Sequence, residues 1–302
     1  MKKFLKVLLA LSTACMIFAG CTDSGSENEQ NTEATTQATS NENGQADGTD
    51  INGSGKLIVG TNPEFPPFEY VGDSGEIEGF DVELMNEVGK RLGYEVEFKS
   101  MEFKSLIGAM EAGSIDAVAA GMSITEERKL AVDFSDTYFN ASQYIIVNKE
   151  NQDIKKAADL TGKIVGVQEG TTGDVYLTEN VKTQNIKRFK KGIDAVLDLK
   201  NGGCDAVFID AQVAMDFVAA NEDQLVCFSG GIDSEEYAVA FPKGSELVSK
   251  VNEAIAEMRA DGTYKTIYDK YFEEQSDDET EDISLEENTS DEESKEDVKK
   301  AE

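Results

Sequence analysis

Two charged residues in this chain have the type and setting to do chemistry, Arg128 and Asp210. An apolar run over residues 115–120 reads as a buried strand that ends at Gly121. Ser123 and Thr125 follow, and both are helix-capping types, so Glu126, Glu127 and Arg128 open a helix just beyond that strand. Ligands of open α/β sheets bind at the carboxyl ends of strands. The planar donor fork of an arginine placed there suits a carboxylate. The plain alternative is a surface arginine paired with Glu126 or Glu127. Asp210 ends a second apolar strand over residues 205–209. It is an acceptor for a cation or a cap for the next helix. The chain has no His, which removes Ser-His-Asp and Cys-His nucleophiles and His-containing metal sites. Carboxylates, Lys, Tyr and two late cysteines, Cys204 and Cys227, remain as reactive types.

The chain has 302 residues, enough for two modest domains. It carries 60 acidic and 28 basic residues, a net charge of −32. Nucleic acid and anionic membrane surfaces need a basic footprint, so neither is an expected partner.

The elements that must position Arg128 and Asp210 can be read in order. Residues 1–20 read as a signal peptide. Lys2, Lys3 and Lys6 precede an apolar run over residues 7–18, shorter than the ~20 residues that span a bilayer. Residues 21–54 hold seven acids and neither a basic nor an aromatic residue, which predicts a disordered tether. Strands are expected over 56–61, 94–99 and 115–120, with helices over 80–92 and 103–112 between them. Pro63, Pro66 and Pro67 make 62–68 a rigid loop. The same β-α-β-α-β order recurs with strands over 164–167, 186–189 and 205–209. Gly113-Ser-Ile-Asp-Ala-Val118 echoes Gly202-Gly-Cys-Asp-Ala-Val207, and the alignment sets Gly121 opposite Asp210. Further strands over 144–147, 225–228 and 237–241 and two closing helices complete the fold. The expected class is α/β, with two lobes: residues 55–142 with 238–272, and residues 143–237. Residues 273–302 carry 15 acids and 3 lysines and are expected to be a disordered tail.

The motifs, taken together, resemble the polar amino-acid family of extracytoplasmic solute-binding proteins, the receptors of ABC importers. They are Gly60-Thr-Asn-Pro-Glu-Phe-Pro-Pro-Phe-Glu69, Gly79-Phe-Asp-Val-Glu-Leu84, residues 115–128 with Asp133-Phe-Ser-Asp136, Gly166-Val-Gln-Glu-Gly-Thr-Thr172, residues 205–210 and Asp261-Gly-Thr-Tyr264. The resemblance covers roughly residues 56–272. It implies a periplasmic-binding-protein-like (type II) fold with a two-stranded hinge. It also implies a clamp on a free amino acid, with no cofactor and no metal. Arg128 would hold the α-carboxylate, helped by backbone N–H groups of Thr171 and Thr172 at a helix N-terminus. Asp210 would accept from the α-ammonium, with the Gly121 carbonyl and the Ser123 hydroxyl. Phe65 and Phe103 would wall the side-chain pocket, and Asn62, Glu64 and Gln168 would complete it. One fixed cation and one fixed anion match the two charges of an amino acid, whose burial is tolerable only when both are paired.

Structural readings stand beside these: Asp210, Thr171 and Thr172 as helix caps, and Phe65 and Phe103 as core. Cys204 and Cys227 are a disulfide or two buried thiols. Phe18-Ala19-Gly20-Cys21 resembles a bacterial lipobox, with Phe18 where Leu is usual, and implies a lipid on Cys21. The expected protein is a monomeric lipoprotein on the outer face of the cell membrane that delivers its ligand to an ABC permease. A sensor docking to a receptor is a second reading. A third is a cleft enzyme such as a dehydratase, with Glu64 or Glu169 as acid or base. Asn62 favours an uncharged polar ligand such as glutamine or cystine. Glu64, the aromatic walls and the negative net charge favour a cation, and arginine ranks first.

Overall fold

The structure is a computed structural model, and it describes residues 55–151 and 153–273. The signal segment, Cys21, the tether and all but the first residue of the acidic tail lie outside the described residues.

The first sheet starts with β1 (Lys56–Thr61). A small antiparallel sheet follows, β2 (Glu64–Phe65), β3 (Glu69–Val71) and β4 (Ile77–Glu78). The prolines of the loop therefore leave room for one two-residue pairing before Pro66. Helix α1 (Phe80–Leu92) buries Phe80, Leu84, Met85 and Val88 at helical spacing. Gly93 stops it in a left-handed conformation and donates to the Gly89 carbonyl. Next come β5 (Glu95–Ser100), a 3₁₀ turn over Phe103–Ser105, α2 (Leu106–Glu111) and β6 (Ala117–Val118). Strands β5, β1 and β6 are neighbours and parallel. The strand expected over 115–120 is two residues long, though the Asp116 and Ala119 N–H groups on either side also donate to β1 carbonyls, at 2.7 and 3.2 Å. Helix α3 (Glu126–Ala131) is capped by the Thr125 hydroxyl, which accepts from Arg128 N at 3.1 Å. The three-residue β7 (Val132–Phe134) follows it, a strand the sequence does not announce.

The second sheet is built from β8 (Phe139–Asn148), β9 (Ile164–Gln168), α4 (Thr172–Asn180), β10 (Asn185–Phe189), α5 (Gly192–Lys200), β11 (Ala206–Asp210), α6 (Ala211–Ala219) and β12 (Leu225–Tyr237). Its order is β10-β9-β11-β8-β12, parallel for the first three and antiparallel thereafter. The chain then returns to the first sheet as β13 (Ala240–Pro242), antiparallel to β6 and β7. Helices α7 (Leu247–Asp261) and α8 (Thr263–Phe272) close the fold and pack on α1. The architecture is thus α/β with two lobes.

The two crossings between the sheets are longer than expected. Strands β8 and β12 pair from Leu225–Asn148 to Tyr237–Phe139, with register shifts on either side of Ile232. The return strand expected over 237–241 is divided: Tyr237 ends β12 and Ala240 starts β13.

The sequence echo has a structural cause. Asp116 Oδ2 accepts from Ile58 N at 2.8 Å, and Asp116 N donates to the Ile58 carbonyl at 2.7 Å. Asp205 treats Ile164 in the same way, at 2.7 and 2.8 Å. In each lobe the aspartate staples the start of the third parallel strand to the first. That fixes the register which carries Gly121 and Asp210 to the cleft edge.

Aromatic residues knit the ribbon to the first lobe. Phe68 is fully buried, with ring centroids of Phe139, Tyr237 and Phe272 at 4.9, 5.2 and 5.4 Å. Cys204 and Cys227 are separate thiols. Burial pushes them up to about 12 and about 11, so both are inert at neutral pH.

Candidate functional site

The carboxyl ends of the parallel strands of both lobes face one cleft. Nine of the residues singled out from sequence line one void there: Phe65, Phe103, Gly121, Ser123, Arg128, Gln168, Thr171, Thr172 and Asp210. The void measures about 10 Å³. A larger cavity of about 610 Å³ adjoins it and shares Phe103, Arg128 and Thr172.

Arg128 reaches across the cleft. Its guanidinium donates to the Ser123 carbonyl at 2.7 Å and to the Gly170 carbonyl at 3.1 Å, and it lies 5.3 Å from the Phe103 ring centroid. Burial lowers its pKa, opposed by the nearby charges of Glu235 and Asp210. A guanidinium stays charged at any working pH. The surface pairing with Glu126 or Glu127 does not occur; Glu126 pairs with Lys129 instead.

Asp210 occupies the N-cap position of α6, yet its side chain makes no capping bond. It is 4% exposed and accepts from the Tyr237 hydroxyl. Burial, then the charge of Glu235, raise its pKa to about 7, against the Tyr237 hydrogen bond.

Thr171 is the N-cap of α4: its hydroxyl accepts from Asp174 N at 3.3 Å and donates to the Gln168 carbonyl at 2.9 Å. Its N–H also turns to that carbonyl, at 3.4 Å. Thr172 is the first helical residue, so its N–H has no intrahelical acceptor and points to the helix N-terminal opening.

Gly121 has φ +53. A Cβ there would stand 2.9 Å from the Phe65 ring and 3.3 Å from the Tyr237 ring, so both conformation and space require glycine. Its N–H donates to Asp81 Oδ2 at 2.9 Å, which also accepts from the Tyr138 hydroxyl at 2.6 Å. Glu69 is fully buried beside Asp81. Burial raises Asp81 to about 6 and Glu69 well above its ordinary value, the latter helped by the Asp81 charge. Two adjacent buried carboxyls cannot both ionise cheaply.

Asn62 and Glu64 sit apart from the void. Asn62 donates to the Met101 carbonyl at 2.9 Å and accepts from Gln168 Nε2 at 2.8 Å, across the cleft. That leaves Gln168 Oε1 as a buried acceptor with no partner among the described residues. Glu64 turns to the rim and pairs with Lys191 of the other lobe. Lys104–Glu169 at 2.9 Å and Lys190–Glu102 at 2.5 Å also cross the cleft mouth. Pairs this exposed are screened by solvent and contribute little to stability.

Two residues at the site escape a sequence reading. Glu235, on β12, accepts from the Ser123 hydroxyl at 2.7 Å, the Thr172 hydroxyl at 2.9 Å and Gln143 Nε2 at 3.3 Å. Gln143, on β8, is fully buried opposite Asp210. Strand alternation was the available signal: Glu235 lies two residues before Tyr237 and so shares its face. Among the described residues no group of three or more His, Cys, Asp or Glu is arranged to hold a metal ion.

The raised acids give a stability prediction. Asp210, Asp81 and Glu69 have folded-state pKa values above their unfolded ones, so between about pH 4 and their folded values the folded state binds more protons. Stability must then fall as pH rises through that window. The unliganded protein should melt at a higher temperature at pH 5.5 than at pH 8. A higher melting temperature at pH 8 would show these acids to be ionised and well solvated.

Two α/β lobes, a paired ribbon between them and a polar cleft at their strand ends define a solute-binding receptor architecture. The chain belongs to the bacterial extracellular solute-binding proteins, family 3, whose family model matches residues 57–274. It is 36% identical over 283 residues to the arginine-binding extracellular protein ArtP of Bacillus subtilis, covering 90% of this chain and 98% of that protein. An ancestral arginine-binding protein bound to arginine superposes with a TM-score of 0.70 at 43% identity, covering 72% of this chain and 98% of the other. An ancestral arginine-binding protein bound to glutamine matches with the same TM-score and coverage at 44% identity.

Proposed function

We propose that this protein is the substrate-binding component of an amino-acid ABC importer, with arginine as its first ligand. The observation that carries this reading is the opposition of Arg128 and Asp210 across one closed cleft, within a chain of this family. Arg128 takes the α-carboxylate through its donor fork, and the Thr172 N–H at the start of α4 adds a second donor. Asp210, the Gly121 carbonyl and the Ser123 hydroxyl take the α-ammonium. Phe65 and Phe103 flank the side chain. The Gln168 Oε1, with no partner among the described residues, supplies an acceptor for a donor-bearing side chain and repels a carboxylate one. Relatives named for arginine support the choice of ligand.

The protein performs no chemistry on this reading. Glu64 and Glu169 are engaged with Lys191 and Lys104 at the rim, and neither lines the void as an acid or base. Loss of the protein should lower uptake of labelled arginine by cells, and unchanged uptake would favour a sensor instead.

A void of about 10 Å³ holds no more than a water, so an amino acid enters only when the lobes part. The β8–β12 ribbon is the element about which they would turn. Small-angle scattering should show a smaller radius of gyration at saturating arginine than without it. An unchanged value would mean the lobes do not separate.

The protein is anchored outside the cell membrane through a lipid on Cys21, and it acts as a monomer. The lipobox-like run and the polar tether support this placement. Cys21→Ser should release the protein to the medium or block its processing. Continued acylation and membrane fractionation of that variant would rule the anchor out.

A further inference from the structure

The cleft carries more negative charge than an amino-acid clamp requires. Asp210 and Glu235 both stand close enough to Arg128 to act on it electrostatically, and Glu235 acts on Asp210. Arg128 spends its donors on the Ser123 and Gly170 carbonyls, at 2.7 and 3.1 Å, rather than on either acid. The partners of Glu235 are neutral: the Ser123 and Thr172 hydroxyls and the Gln143 amide. Asp210 accepts from the Tyr237 hydroxyl, also neutral. Lys104, the lysine lining the adjoining cavity, is held by Glu169 at 2.9 Å. Glu127 and Glu179 line that cavity too and add further negative charge. Gln143 Oε1 is buried with no donor among the described residues, one more acceptor in the same place.

Glu235 is held, not free to swing away. Ser123 belongs to the first lobe and Thr172 to the second, so closing the cleft is what assembles its hydroxyl cradle. The carboxylate is therefore fixed in the closed state, beside the seat assigned to the ligand's ammonium. Asp210 is buried and Glu235 half-buried, with one guanidinium standing against both, so a ligand that brings positive charge relieves the excess. A neutral amino acid adds one cation and one anion and leaves the excess negative charge unrelieved. An amino acid with a cationic side chain cancels it.

We propose that Glu235 is the charge-selecting residue of this cleft: with Asp210 it sets two carboxylates against one guanidinium, so that the site takes amino acids of net positive charge over neutral isosteres. This rests on the reading of the cleft as an amino-acid site.

The test compares arginine with citrulline, which has nearly the same shape and no side-chain charge. Dissociation constants are measured by calorimetry for the full-length wild-type protein, Glu235→Gln and Glu235→Asp, with circular dichroism as the check on folding. The wild type should prefer arginine by roughly tenfold or more. In Glu235→Gln the preference should collapse to about threefold or less, through weaker arginine binding or stronger citrulline binding. Glu235→Asp, which keeps the charge, should keep the preference. An unchanged ratio in Glu235→Gln, with both ligands bound, overturns the proposal and leaves the amino-acid reading standing. Equal loss of both ligands in a folded Glu235→Gln protein makes the residue a structural prop and also overturns it. If the wild type binds no amino acid, the parent reading falls and this one falls with it.

Discussion

Arg128→Ala should abolish measurable arginine binding while the protein stays folded. The guanidinium contributes nothing to the core: its partners are two cleft carbonyls and the face of Phe103. Without it the ligand carboxylate would be enclosed beside Asp210 and Glu235 with no counter-charge. Truncating one partner of a buried charged pair costs roughly 2–5 kcal/mol, a loss of about 30-fold to several thousand-fold in affinity. Arg128→Lys should recover little of it, because an ammonium cannot reproduce the planar fork. Asp210→Asn should also lose binding, with a second signature. Asp210 is raised to about 7, so its ionised form already destabilises the unliganded fold at neutral pH. The asparagine variant should therefore melt no lower than wild type while failing to bind. Near-native affinity in either variant would remove that residue from the site. A melting temperature well below wild type in Asp210→Asn would make the aspartate a structural group.

Phe68→Ala should cost about 3–5 kcal/mol of stability, the range for emptying a buried aromatic site. The ring is fully buried and touches the rings of Phe139 on β8, Tyr237 on β12 and Phe272 on α8. The hole could not close by small shifts, since three elements meet there. For a domain of this size the loss should lower the melting temperature by roughly 10 °C. Binding should weaken as well, because Phe65 stands 6.1 Å from Phe68 and depends on it for its place beside Gly121. A loss under about 1 kcal/mol would mean that the aromatic cluster does not tie the ribbon to the first lobe.

Local patterns made much of the fold legible. The periodic run of α1 and its Gly93 stop coincide with the observed helix. The Gly-x-x-Asp-Ala-Val echo was visible as letters, and the paired bonds of Asp116 and Asp205 give it a physical meaning. The length of β12 was not legible. Gly230 and Gly231 lie between the strands expected over 225–228 and 237–241, and pairing with β8 carries one irregular strand through them. Tertiary context overrides local propensity there. Glu235 shares a strand face with Tyr237, but local sequence does not show the three donors, from Ser123, Thr172 and Gln143, that gather around it. Gln143 lies just before the apolar run of β8, and the Glu69–Asp81 contact depends on a fold that no local period encodes. At the cleft, residue type and place pointed to Arg128, while the roles given to Asp210, Ser123 and Thr172 came from the family resemblance. Neither could tell that Asn62 and Glu64 would be engaged with Gln168 and Lys191 across the gap.

The central claim is that the cleft is a seat for a free amino acid with a cationic side chain. A calorimetric titration of the full-length protein against the twenty amino acids, with cystine and ornithine, tests it most directly. The chain has no Trp, so heat is a better readout than intrinsic Trp fluorescence. Arginine should bind one to one, outrank glutamine, and weaken with added salt, because attraction to a chain of net charge −32 is screened. Glutamate should show no binding. Tight binding of glutamate, or the absence of any amino-acid ligand, would contradict the account.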